Sequence, residues 1–242
     1  MTIYQLPDKL IFPSPEDAEP EGLLAVGGDL RPERLLLAYS SGIFPWYSEG
    51  LPILWWSPDP RLILEPANLH IPRRLWRVIK KRIFTITCDQ SFETVIQECA
   101  NTTFRKEKST WLVKEMIDAY IQLHKIGFAH SVESWYEGKL VGGLYGVSLG
   151  KVFFGESMFY RMKDASKVAL VYLVKLLYHW EFTLIDCQVT TNHLIRFGAR
   201  EIPRSQFLKL LTHSLKYKTI RGRWHLTETL TQEIITSKKI PG

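Results

Sequence analysis

An aspartate and a glutamine stand two residues apart in an apolar segment of the chain. The segment is "TLIDCQV", residues 183–189, and its β-branched and aliphatic residues predict a buried strand. Strand side chains alternate between faces, so we expect Asp186 and Gln188 on one face and Ile185 and Cys187 on the other. A carboxylate and a carboxamide in apolar surroundings are costly unless both are hydrogen-bonded or used, so the pair is our candidate catalytic group.

The residue types alone leave two explanations of this pair open. It could orient an attacking amine and help to remove its proton, because the α-amino group has an ordinary pKa of about 7.7–8.0. It could also be a structural pair that ties down neighbouring backbone, as most buried polar groups do.

Composition is typical of a globular protein with a substantial core. Of 242 residues, 45% are hydrophobic, and the net charge of +6 would suit an anionic partner. The longest apolar stretch, residues 168–177, is interrupted by Lys175 and is shorter than the roughly 20 residues of a membrane helix. Because the start of the chain lacks the pattern of a secretory signal, we expect a cytoplasmic protein with no membrane partner.

Cysteine and histidine spacings indicate neither a disulfide framework nor a metal site. Cys88, Cys99 and Cys187 are scattered without a C-x-x-C pair, and the seven histidines form no H-E-x-x-H motif. We therefore expect reduced thiols and no metal.

Proline distribution divides the chain in two. Eleven of the thirteen prolines lie within residues 1–72, which predicts a boundary at about residues 65–72 and domains of residues 1–66 and 67–242. The first domain should be small and irregular, with one helix that has Pro32 in its first turn and stops at Gly42.

Apolar periodicity in the second domain predicts an α/β fold around a mixed sheet. The expected order is a helix at 72–82, a strand at 84–88, helices at 90–100 and 110–127, three consecutive strands at 128–136, 139–147 and 151–159, a helix at 164–180, the Asp186 strand, a further helix and a helix at 204–215. This order is typical of acetyltransferase-like (N-acyltransferase) folds, although a fold alone does not fix a function.

Several motifs in a fixed order resemble one bacterial family. They are "GGDLRPERLLLAYSSGIFPW", "WWSPDPR", "GGLYGVSLG", "FGESMF", "DASKVAL", "LIDCQV" and "FGAREIPR", within about residues 12–210. Together they resemble the leucyl/phenylalanyl-tRNA protein transferases. The resemblance implies transfer of leucine or phenylalanine from leucyl-tRNA or phenylalanyl-tRNA to the N-terminal amine of proteins beginning with lysine or arginine, which marks them for degradation. It implies no cofactor.

The resemblance also implies roles for single residues. Gln188 is expected to hydrogen-bond the incoming amine, Asp186 to hold or polarise that group, and Glu156 to bind the acceptor. An apolar aminoacyl pocket is expected from Leu144, Phe153, Met158, Leu173 and Ile185. Relatives carry methionine and phenylalanine at the positions of Leu144 and Leu173, and a single methylene in such a pocket changes selectivity by only about 1–3 kcal/mol.

Two features are expected to hold the tRNA. By resemblance, Trp46 and Trp111 bracket the terminal adenosine, and a tryptophan face suits that role because stacking on a base contributes about 1–3 kcal/mol. A helix with exposed basic residues is expected to meet phosphates independently of sequence. Its basic residues are Arg73, Arg74, Arg77, Lys80, Lys81 and Arg82. A solvated helix face is the alternative explanation of this charge.

Two rival functions are compatible with parts of the sequence. A coenzyme A-dependent N-acetyltransferase would share the fold, but such enzymes usually bind pyrophosphate at a glycine-rich turn after the third strand, where this chain has "YRMKDASKVA". A non-catalytic RNA-binding module would use the basic helix and the tryptophans, and would leave Asp186 and Gln188 without a role.

Overall fold

The structure is a computed structural model that describes residues 3–101 and 112–238. Its helices are α1 (Pro32–Ser40), α2 (Arg73–Lys80), α3 (Phe92–Ala100), α4 (Lys114–Lys125), α5 (Ala165–His179), α6 (Asn192–Ile195), α7 (Arg204–Ser214) and α8 (Glu228–Thr236). Its strands are β1 (Tyr4–Leu6), β2 (Leu23–Gly27), β3 (Phe44–Pro45), β4 (Leu54–Trp56), β5 (Arg61–Leu64), β6 (Thr85–Cys88), β7 (Ala129–Tyr136), β8 (Lys139–Leu149), β9 (Val152–Tyr160), β10 (Leu184–Gln188) and β11 (Arg200–Ile202).

The N-terminal part contains a small sheet of short strands in the order β1-β2-β4-β3. The helix α1 has Pro32 in its first turn and ends just before Gly42, whose φ of +76° is left-handed. A Cβ atom on Gly42 would lie 2.7 Å from Leu208 of α7. The residue that stops α1 is therefore also a point where the small and large parts of the protein pack closely.

Seven strands form the large sheet, in the order β11-β5-β10-β9-β8-β7-β6. Only β9 and β10 are parallel among these neighbours within the described residues. The strands β7 and β8 are joined by Glu137 and Gly138, both with positive φ, as a tight two-residue hairpin turn requires. The predicted α/β class, with a small N-terminal part and a mixed sheet, is confirmed.

Helices cover both faces of this sheet. One core joins the N-terminal strands and α1 to α3, α4 and α7. The second core joins α2, α5 and α8. The helix α5 is buried around most of its circumference, which explains its apolar composition. In the described ranges, no helix has both the length and the apolar character needed to cross a membrane.

The predicted elements of the second domain occur in the structure, with ends that differ by a few residues. The N-terminal part is more regular than expected, because it forms a four-stranded sheet. The strand β5, which the proline distribution placed before the domain boundary, pairs with β10 and β11 of the large sheet. The chain thus passes from one sheet to the other between residues 57 and 60, and the division at residues 66 and 67 stays a prediction.

Candidate active site

The two parallel strands at the centre of the large sheet separate beside Asp186. The strands β9 and β10 pair through Val152–Phe154 and Leu184–Asp186. Beyond these pairs, β9 continues alongside β8 and β10 alongside β5. Residues from the diverging ends of both strands therefore border a common gap.

Each strand carries one extra residue where the gap opens. Glu156 is the extra residue of β9 against β8, and Cys187 is the extra residue of β10 against β5. Gln188 has a left-handed φ of +61°, and its backbone N–H donates to Asp186 Oδ1 at 2.9 Å. Such bulges redirect side chains near active sites. The regular alternation expected for Asp186 and Gln188 stops here, and their side chains have different partners.

The Asp186 carboxylate is fully buried and paired with Arg61 of β5. Arg61 Nε donates to Oδ1 at 2.9 Å and Nη2 donates to Oδ2 at 2.7 Å. The guanidinium lies 4.8 Å from the ring centroid of Phe44 and 4.6 Å from that of Phe207. This two-point, charge-assisted contact fixes the carboxylate in orientation and balances its charge.

The Gln188 side chain reaches Glu156 across the gap. Its Nε2 donates to Glu156 Oε1 at 2.8 Å. Two hydroxyls also contact this carboxyl group: Tyr39 at Oε1, 2.8 Å away, and Tyr120 at Oε2, 2.9 Å away. Burial raises the pKa of Glu156 to about 7, against the opposing effect of the two tyrosine hydrogen bonds.

An apolar cavity of about 320 Å³ lies beside this polar group. Its lining includes the five apolar residues expected for the aminoacyl pocket, namely Leu144, Phe153, Met158, Leu173 and Ile185. Glu156 and Gln188 line it as well. The volume is at the lower end of the range of about 300–1,000 Å³ for ligand pockets, and a mainly apolar wall with a few polar groups is typical of them.

Trp46 lies at the entrance to this region. It lines a cavity of about 120 Å³ together with Glu156 and Gln188, and 43% of its surface is exposed. Its backbone carbonyl accepts a hydrogen bond from Trp56 Nε1, and the two rings are 5.7 Å apart. A large aromatic face is thus available near the polar group. Trp111, the other expected adenosine-binding residue, lies outside the described residues.

The basic helix α2 presents its charges to solvent. Leu75 and Ile79 are buried against the second core, and Val78 is partly buried. The basic side chains Arg73, Arg74, Arg77, Lys80, Lys81 and Arg82 are exposed. The structure thus brings Asp186, Gln188, Glu156, Trp46 and the pocket residues together, and none of the exposed basic residues of α2 lines either cavity.

Sequence reasoning missed three residues of this centre: Arg61, Tyr39 and Tyr120. A buried carboxylate needs a cation, which was a signal for an arginine, but 31 lysines and arginines were available and Arg61 lies 125 residues before Asp186 in the sequence. All three cysteines are buried. No group of three His, Cys, Asp or Glu side chains suited to a metal ion occurs in the part of the chain that the structure describes.

Comparison with known families decides the identity of this centre. Residues 63–212 match the family model for leucyl/phenylalanyl-tRNA protein transferase, and residues 28–59 match the model for the N-terminal domain of the same proteins. The chain belongs to this family. It is therefore an enzyme, an aminoacyltransferase that moves an amino acid from tRNA to protein, and not a coenzyme A-dependent acetyltransferase or a non-catalytic RNA-binding module.

Individual relatives in the family are similar along nearly their whole length. The transferase of Anaeromyxobacter sp. (strain Fw109-5) is 59% identical over 226 residues, covering 93% of this chain and 96% of the relative. That of Syntrophobacter fumaroxidans is 60% identical over 215 residues, covering 89% and 92%. Among solved structures, L-PGS from Bacillus licheniformis matches with a TM-score of 0.38 and 15% identity, over 88% of this chain and 71% of that one, which is too low to support an argument.

Proposed function

We propose that this transferase moves leucine or phenylalanine onto the N-terminal α-amine of proteins that begin with lysine or arginine, in the cytoplasm, and so marks them for degradation. The observation that carries the proposal is the position of Gln188 at the edge of an apolar cavity. Its Nε2 is committed to Glu156, so its Oε1 is the atom that can accept a hydrogen bond from an amine.

The leucine or phenylalanine side chain of the donor would occupy the cavity of about 320 Å³. Its ester carbonyl would then lie at the polar edge, with the terminal adenosine of the tRNA against Trp46. The role of Trp111 on the other side of that base stays a prediction. Holding the two reactants in this geometry is the main contribution we assign to the protein, because the ester is already a reactive acyl donor.

The reaction has a simple balance of bonds and protons. The amine nitrogen attacks the ester carbonyl carbon, the bond to the ribose oxygen breaks, and the proton lost by the amine ends on that oxygen. Gln188 Oε1 accepts an N–H of the attacking amine and orients its lone pair. Asp186 is not assigned a proton transfer, because both of its oxygens accept hydrogen bonds from Arg61 and one also accepts the Gln188 N–H.

Glu156 remains the proposed acceptor-binding residue, with a more specific role. It lines both the apolar cavity and the smaller cavity near Trp46, and it fixes the Gln188 amide that faces the acceptor. In this arrangement Glu156 acts on the acceptor through Gln188, rather than by direct pairing with a lysine or arginine side chain.

A transfer assay tests the proposed substrates. Purified protein is incubated with labelled leucyl-tRNA or phenylalanyl-tRNA and with peptides that differ only in an N-terminal lysine, arginine or alanine. We expect label in the lysine and arginine peptides at rates at least about tenfold above the alanine peptide. Equal labelling of all three would refute the acceptor preference, and absence of labelling from either tRNA would refute the donor assignment.

The exposed basic face of α2 is proposed to bind the tRNA backbone. Replacing Arg73, Arg77 and Lys80 together by glutamine should weaken binding of charged and uncharged tRNA alike and reduce the slope of binding against salt by about 2–3, because each phosphate contact contributes about 0.9. Fluorescence titrations at several salt concentrations measure this slope.

A matched control removes the same charge elsewhere on the surface. Lys209, Lys216 and Lys218 are exposed residues in and after α7, and their replacement by glutamine changes the net charge equally. This control should keep a slope close to that of the parent. Equal slopes for the two triple variants would show that the basic face of α2 is exposed to solvent and does not bind the tRNA backbone.

A further inference from the structure

The contacts of Glu156 pose a problem of proton count. Tyr39 and Tyr120 each contact one oxygen of this carboxyl group, and their own hydroxyl oxygens are 2.5 Å apart. Three close oxygen–oxygen contacts therefore meet in one ring, and two hydroxyl groups supply only two hydrogen atoms. If both hydroxyls donated to a carboxylate, the two tyrosine oxygens would face each other at 2.5 Å without a hydrogen atom between them, which is a repulsive arrangement.

A third hydrogen atom satisfies all three contacts. We propose that Glu156 is protonated in the free enzyme up to neutral pH and then closes a ring of hydrogen bonds with Tyr39 and Tyr120. The proton is on Oε2, since Oε1 already accepts the N–H of Gln188. Glu156 Oε2–H then donates to the Tyr120 oxygen, the Tyr120 hydroxyl donates to Tyr39, and the Tyr39 hydroxyl donates to Glu156 Oε1.

This protonation has a consequence for the nucleophile, which rests on the proposed function. A carboxylate close to an α-amine stabilises the ammonium form, which has no lone pair to attack an ester. A neutral carboxylic acid does not, and the charge of the nearby Asp186 is balanced by Arg61. The amine bound at Gln188 therefore meets neutral or charge-balanced groups, and Tyr39 and Tyr120 act as positioning residues that hold the Glu156 carboxyl group in place.

The surroundings of Glu156 agree with a neutral acid. Burial is the main cause that raises its pKa to about 7. The hydrogen bonds from Tyr39, Tyr120 and Gln188 lower the pKa, and the negative charge of Asp186 raises it. Among the described residues that line the two cavities, the other titratable groups are Tyr145, Cys187 and His193. Arg61 lies on the far side of Asp186. Burial lowers the pKa of His193, which favours its neutral form, and raises that of Cys187, which favours the thiol.

The protonation state can be measured without any activity assay. In protein labelled with ¹³C at the glutamate carboxyl carbon, one resonance should titrate near pH 7 and the same resonance should be missing from the Glu156→Gln variant. Ordinary glutamates titrate at about 4.3. If every glutamate resonance of the unmodified protein titrates in that ordinary range, Glu156 is ionised at neutral pH and the proposal fails, whether or not the variant folds.

Substitution distinguishes a neutral role from a charged one in the reaction. The amide of Glu156→Gln can donate to Tyr120 and accept from Tyr39 as the acid does, so this variant should be at least about tenfold more active than Glu156→Ala. A transfer rate as low as that of the alanine variant would show that the carboxylate charge is required.

The pH profile supplies a second reaction readout. The ratio of kcat/KM between the unmodified enzyme and Glu156→Gln should fall about tenfold between pH 6 and pH 8, because Glu156 ionises in that interval and glutamine does not. Glu49→Gln, which removes an exposed carboxylate, should show no such change relative to the unmodified enzyme. A ratio that stays constant for Glu156→Gln would overturn the proposal. Failure of the unmodified enzyme to label any peptide would instead reject the proposed function. The carboxyl titration would still measure the protonation state of Glu156 in that case.

Discussion

Two aspartates of this protein are buried and hydrogen-bonded, but their hydrogen-bond networks lead to different parts of the molecule. Asp186 lies in the central gap of the large sheet, and Asp89 lies after β6 at its far edge. Asp89 accepts backbone N–H groups from Ser131 at 2.8 Å and from Trp224 at 2.7 Å, and it contacts His130 Nδ1 at 2.8 Å. It thereby ties the segment before α8 to the sheet, and each of these contacts is internal.

The two centres differ in where their hydrogen-bond networks end. The network of Asp186 continues through its bulge to Gln188 at an apolar cavity. A larger cleft of about 890 Å³ lies beside Asp89, but charged and polar residues such as Lys125 and Arg221 form much of its lining. Neither a buried charge nor the size of a cleft is therefore enough to locate the chemistry. A polar group that reaches an apolar cavity is the more informative sign.

The largest expected effect comes from Asp186→Asn, which tests how far Asp186 resembles Asp89. The change leaves Arg61 buried without its counter-charge, and breaking such a pair costs about 3–5 kcal/mol. For a protein of this size that corresponds to a fall in Tm of about 6–20 °C, measurable by calorimetry. An unchanged Tm would show that the pair contributes nothing to folding and that Asp186 is held for another reason.

Gln188→Ala should separate the two centres by function. It removes the proposed contact to the attacking amine, so we expect kcat to fall about a hundredfold, as for other losses of substrate positioning. Binding of leucyl-tRNA should change little. Asp89→Asn is the counterpart at the other centre: it should lower Tm and leave kcat of the folded protein close to its original value. If Asp89→Asn reduces kcat as much as Gln188→Ala does, the functional distinction between the two centres is refuted.

The smallest expected effect is a pH dependence of stability at the Asp89 centre. Burial lowers the pKa of His130, so the folded protein resists a proton that the unfolded chain accepts at about 6.5. This contribution to stability is complete above pH 6.5 and is lost as the pH falls below it, by up to about 1.4 kcal/mol per pH unit. Urea unfolding at pH 7.5 and pH 5.5 measures it.

A pair of variants assigns that dependence to one histidine. His130→Phe keeps an aromatic ring against Trp224, on which His130 stacks at 3.8 Å, and should reduce the difference between the two pH values. His213→Phe changes an exposed residue of α7 and should not. An equal reduction in both variants would locate the dependence elsewhere.

Periodicity in the sequence predicted most of the large domain, because its helices and hairpins depend on neighbouring residues. The short strands were not predicted, because their pairing depends on residues that are distant in the sequence. The strand β5, "RLIL", is four residues long and becomes part of the large sheet only by pairing with β10, more than a hundred residues later. Composition alone placed it with the proline-rich segment.

The candidate site shows the same limit. The polar pair at Asp186 and Gln188 was visible because it interrupts an apolar strand. Arg61 was not visible as its partner, because it is 125 residues away in the sequence. Tyr39 and Tyr120 were not visible either, because they occupy helix positions typical of ordinary core residues. The bulge at Cys187 was also hidden, since strand alternation gives no sign of an added residue.

The two added residues, Glu156 and Cys187, make this site sensitive to chain length. Removing one residue from a bulge would restore a regular ladder and turn the side chains that follow it to the opposite face of the strand. In β9 the side chain turned away would be Met158, and in β10 it would be Gln188. A deletion of a single residue could thus empty the gap of its functional groups while leaving the composition of both strands almost unchanged. Spacing along the chain constrains this region as strongly as chemical type does.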